Sequence, residues 1–157
     1  MGKIGENMTK NEVKARLERY AGLRLEVRLR LERLAELQQM DQERPTLSGS
    51  RSDRYAQTIA PTVQTNRREM SEIEAAVAAL PDPLEREVLR LRYMEPFRDP
   101  QTGRESIRAT PWKGVSIVLF GSDREEHVSA CWRLHSAALV HLSAGWTGPE
   151  KSKIIQS

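Results

Sequence analysis

A chain of 157 residues, 38% apolar and 30% charged, is long enough for one ordinary domain or a small domain with a helical extension, and it has material for only a modest core. The single cysteine, Cys131, excludes an intramolecular disulfide. There is no apolar run of the ~20 residues a membrane span needs and no signal pattern over Met1 to Lys10, so the expected setting is the cytoplasm with no membrane partner. The net charge of +3 permits nucleic-acid binding without demanding it.

Taken in chain order, the pattern predicts an all-α fold. From Thr9 to Arg44 there is no proline and one glycine, Gly22, which predicts a single long N-terminal helix over residues 1–44. Thr9 followed by Glu12 has the spacing of a capping box. Val13, Leu17, Tyr20, Val27, Leu31 and Leu34 form an apolar stripe that lapses at Arg24. The opposite side interleaves Arg16, Arg19, Arg28, Arg30 and Arg33 with Glu12, Glu18, Glu26, Glu32 and Glu36, the pattern of a solvated face with ion pairs one turn apart. Residues 45–61, with Ser48, Gly49 and Ser50 adjacent, read as a linker with at most one helical turn near Tyr55. A second helix is expected over 62–80, with Val63, Met70, Ile73, Val77 and Leu80 on one face. Packed antiparallel on the first as a helical hairpin or coiled coil, it would bury both stripes, within one chain or across a homodimer.

Residues 81–142 form the next expected unit. Asp82 is placed to cap a helix that begins at Pro83 and runs to Met94, with Leu84, Val88, Leu91 and Tyr93 inward. Asp99, Pro100 and Gly103 predict a turn within a loop from Pro96 to Pro111. A short apolar helix, Trp112 to Phe120, stops at Gly121, and Ser122 is placed to cap a last helix from Asp123 to Leu142. From 143 to 157 a flexible tail is expected.

A short apolar helix, a tight turn and a longer helix are the grammar of a helix-turn-helix. A helix sits in a major groove only if another braces its inner face. Val115, Val118 and Leu119 are expected to brace Val128, Cys131, Trp132, His135, Leu139 and Leu142. That leaves Arg124, Glu125, Ser129, Arg133 and Ser136 free. His127, Cys131 and His135 recur every four residues and so share a stripe. With no fourth ligand at matching spacing they read as a packed Cys and His set, so no metal and no cofactor is expected. Trp112 and Trp132 read as core. No phosphate loop, nucleophile elbow or paired carboxylates occur, and no enzyme is expected.

Leu80 to Leu142 resembles region 4 of bacterial sigma factors, and more closely the phage-encoded late-gene transcriptional regulators of the ArpU and RinA type. The likeness rests on the Leu84 to Tyr93 run with its VLRLRY core, on Trp112 with Val115, Ser116, Leu119, Gly121 and Ser122, and on Arg133, His135, Ala138 and Leu139. It implies a promoter-binding transcriptional regulator in a bacterial host cytoplasm, with double-stranded DNA as partner and host RNA polymerase as a further contact. On that basis Ser122, Arg124, Glu125, Ser129 and Arg133 are expected at the DNA face, and Arg90, Arg92, Arg108 and Lys113 on phosphates. For Arg133 a phosphate contact competes with an ion pair one turn away. The last helix departs from a basic pattern in carrying Asp123, Glu125 and Glu126, acids that also favour a helix start. Two alternatives stay open: an interaction module that contacts polymerase without DNA, and the DNA-recognition small subunit of a phage terminase.

Overall fold

The computed structural model describes residues 7–45 and 49–146, and the regular elements among them are helices. They are α1 (Lys10–Glu18), α2 (Tyr20–Glu43), α3 (Arg51–Ala78), α4 (Pro83–Leu89) with a π-helical continuation (Arg90–Met94), α5 (Trp112–Phe120) and α6 (Glu125–Gly145). None is long and apolar enough to cross a membrane. Ahead of α5 the expected turn is present. The Asp99 N–H donates to the Arg104 carbonyl at 2.9 Å, the Gly103 N–H to the Asp99 carbonyl at 2.7 Å, and Gly103 takes a φ of +72°.

The capping box forms, with the Glu12 N–H donating to Thr9 Oγ1 at 3.2 Å and the Thr9 N–H to Glu12 Oε1 at 2.8 Å. The single helix expected over 1–44 is instead two, interrupted at Arg19, whose N–H bonds the Arg16 carbonyl at 3.2 Å in a tightened turn. The chain also divides there. One compact unit takes the described residues up to Ala21 and from Ile73 onward, and a second is Gly22–Glu72. The apolar stripe divides with it. Val13 and Leu17 are fully enclosed in the first unit, whereas Val27, with Leu31, packs on Ile59, Val63, Tyr55 and Met70 in the second. Arg24, where the stripe lapses, lies just past the changeover, so one run of sequence serves two cores in turn.

In the second unit, the expected linker over 45–61 is largely helix, because α3 already begins at Arg51. The cause is Asp41 of α2. Its Oδ2 accepts from Ser50 Oγ at 2.6 Å and the Ser52 N–H at 2.8 Å, and its Oδ1 accepts from the Arg51 N–H at 3.2 Å. Ser50 Oγ in turn accepts from the Asp53 N–H at 3.1 Å. These bonds satisfy the free donors that every helix start carries. They hold the Asp41 carboxyl well below its ordinary value of 3.8, the Ser50 hydroxyl contributing most. The stability this lends is present above that value and is lost only as pH falls through the depressed one. Pro61 sits inside α3 on an exposed side, where its missing N–H costs one helix bond. Asp41 meets Ser52, and Glu26 Oε1 accepts from Asn66 Nδ2 at 2.7 Å, so α2 and α3 run antiparallel within one chain.

In the first unit, α6 is the central rod. Its enclosed side carries Cys131, His135, Ala138, Leu139 and Leu142, and Val88 and Leu89 of α4, Val115 of α5 and Ile73 and Val77 of α3 are buried in the same unit. α1 belongs here too. The Met8 N–H donates to the Trp146 carbonyl at 3.1 Å, Ser143 Oγ donates to the Met8 carbonyl at 2.7 Å, and the Arg16 guanidinium lies 4.6 Å over the Trp146 ring. Residues 143–145, expected in a flexible tail, are instead the last turn of α6. Residues 147–157 lie outside the described residues, as do 1–6 and 46–48.

Candidate nucleic-acid interface

α5 is stopped by Gly121, which takes a left-handed conformation at φ +72° and ψ 15° while its N–H bonds the Ile117 carbonyl at 2.9 Å. Ser122 does not cap α6 as expected. Its Oγ accepts from the Arg124 N–H at 3.1 Å and its carbonyl accepts from Ser116 Oγ, which closes the turn. α6 then starts at Glu125, and Glu125 and Glu126 complement the positive end of the helix in place of a side-chain cap.

Val115, Cys131, His135, Leu139 and Leu142 are enclosed as the pattern indicated, and two members of the expected brace are not. Ser116 is enclosed as well, but Val118 is 67% exposed and Trp132 is 56% exposed rather than core. The buried arc of α6 runs from Ala138 through Cys131, Leu142 and His135 to Leu139, and Trp132 falls at its edge, nearly in line with Leu139 seven residues on, where its ring meets solvent. Burial raises the Cys131 thiol pKa, opposed by a bond with Ser116 that ties α6 to α5.

His135 is the hub of the brace. Its Nε2 lies 2.6 Å from the Tyr93 hydroxyl, and the Trp112 ring meets it edge-on at 4.9 Å. The Arg92 guanidinium lies 4.1 Å over Trp112, and Arg92 Nη1 donates to the Thr110 carbonyl at 2.6 Å, which pins the end of the preceding loop. Burial pushes the His135 pKa down to about 4, and the charges of Arg92, Lys14 and Lys10 act in the same direction. The ring is neutral at neutral pH. His127, by contrast, stacks on Phe120 at 5.4 Å. Among the described residues no group of three or more His, Cys, Asp or Glu is arranged to hold a metal ion.

Of the residues expected at the DNA face, Glu125, Ser129 and Arg133 are exposed on the part of α6 turned away from its enclosed side, and Arg124 is exposed at the N-cap that precedes it. Arg124 Nε lies 3.2 Å from Glu126 Oε1, a pair open to solvent and hence readily exchanged. Ser122 is half-buried in the turn, and Lys113 and Arg108 are exposed on α5 and the loop before it. Arg90 and Arg92, expected on phosphates, have partners within the fold. Arg90 is ion-paired to Glu87 at 3.2 Å and Glu95 at 3.0 Å, and Arg92 covers Trp112. Trp132 is the surface residue the sequence reading missed. Its flanking Ser129, Arg133 and Ser136, spaced three and four apart, are the signal that it borders the polar side.

What this arrangement offers is a rigid helix with one face braced and the other free, at the scale of a major groove. No protein-family model, curated protein or solved structure matches the chain.

Proposed function

We propose that this protein is a sequence-specific DNA-binding transcriptional regulator that presents the free face of α6 to the major groove. The observation that carries the reading is the joint exposure of Ser129 and Arg133 on a helix whose other side is enclosed, with Arg124 exposed at its N-cap. Lys113 and Arg108 supply cations for flanking phosphates, and Glu125 and Glu126 temper non-specific affinity. The likeness of Leu80 to Leu142 to phage late-gene regulators extends this to a phage or prophage activator at a promoter, with host polymerase as a further partner.

A second reading, docking to a protein without DNA, is favoured by the exposed apolar side chains Ile117, Val118 and Trp132. Selection of bound fragments from a random duplex pool separates the two. A consensus sequence is expected, and Arg133→Ala is expected to weaken its binding about tenfold and lower the salt slope by about one. No enrichment at low salt, or an unchanged slope in Arg133→Ala, contradicts the DNA reading.

A further inference from the structure

The unit that contains α6 also holds a cleft of about 480 Å³, lined by the end of α3, the start of α4 and the last turns of α6. That volume suits a small molecule. Ala76, Ala79, Leu80, Leu142 and Trp146 make its walls apolar, and the alanines leave the space open. Set among them is Glu85, whose side chain is only 5% exposed. Its Oε1 is 2.7 Å from Nδ1 of His141, whose own side chain is 55% exposed. A buried carboxylate among apolar walls is costly unless its oxygens are paired with donors, and here a single imidazole does this.

The charge balance of the lining is one-sided. Asp82 and Glu85 are its acids, and His141 is its only basic residue. Arg86 is engaged elsewhere, donating to the carbonyls of Leu80 at 2.6 Å and Pro81 at 3.2 Å, and it lines a separate recess. The lining thus carries more acid than base.

We infer that the cleft binds a small organic ammonium, a primary or secondary amine carried on an aromatic or branched aliphatic body. Its N–H groups donate to the Glu85 carboxylate, and its body packs on Trp146, Leu142 and Leu80. A charge-assisted bond of this kind is stronger than its neutral counterpart, so the preference for an amine over a neutral molecule of the same shape measures the role of Glu85. The assignment stands independently of DNA binding.

The test uses the full chain with phenethylamine and its neutral isostere 2-phenylethanol, followed by calorimetry and by the Trp146 indole resonance. The amine is expected to bind about tenfold tighter or more than the alcohol and to shift the Trp146 resonance. Glu85→Gln is expected to abolish that preference, and Ala79→Leu, which fills the cleft from an exposed position, to weaken both ligands. The wild-type comparison and Ala79→Leu decide the matter even if Glu85→Gln fails to fold. Equal affinity of the two ligands for the wild type, no binding at millimolar concentration, or a preference retained in a folded Glu85→Gln overturns the inference.

Discussion

Leu17→Ala is expected to destabilise the unit built on α6 by about 2 to 5 kcal/mol, the usual cost of truncating an enclosed leucine. Leu17 is fully buried, as is Val13 on the same face of α1. α1 has only 9 residues, too short to persist on its own, so packing and the bonds from Met8 to Trp146 and Ser143 hold it. If α1 were the opening of a long coiled coil, as its stripe reads in isolation, the substitution would leave α5 and α6 untouched. Urea unfolding followed by tryptophan emission checks this, because Trp112 and Trp146 both belong to that unit. A midpoint shifted well below wild type is the expected result, and an unchanged midpoint would show that α1 is dispensable there.

Acid is expected to act on the same unit through His135. Its folded-state pKa is about 4 against an ordinary 6.5, with burial the largest cause. Between those values the unfolded chain holds the proton and the folded protein does not, so stability falls as pH is lowered through this window and levels off below it. At 1.36 kcal/mol per unit, the loss is about 3 kcal/mol at most. Protonation would also put a cation beside Arg92. Unfolding free energies measured from pH 7 to pH 4 should show this slope, and His135→Gln should flatten it. An equal slope in the variant would assign the acid sensitivity to other groups.

The parts of this architecture that were legible in the sequence are those whose causes are local. Thr9 with Glu12, Asp82 accepting the Leu84 N–H at 2.8 Å, and Gly121 in its left-handed turn each act within a few residues, so spacing alone reveals them. The start of α3 was hidden because its capping group, Asp41, lies on another helix. The docking of α1 on α6 was hidden because its partners are as far apart as Met8 and Ser143. At the interface, Glu125, Ser129 and Arg133 followed from the helical period. Trp132 did not, because it falls at the edge of the enclosed arc, nearly in line with Leu139, where the period does not decide. Arg90 and Arg92 look like any surface arginines until Glu87, Glu95 and Trp112 are seen to occupy them.

Amide shift mapping of the chain, titrated with a duplex recovered by selection, most directly tests whether the free side of α6 is what meets DNA. The largest changes are expected at Arg124, Ser129, Arg133 and Ser136, with smaller ones at Lys113 and Arg108. Changes confined to the α2 and α3 hairpin, with α6 silent while the duplex is bound, would contradict the account.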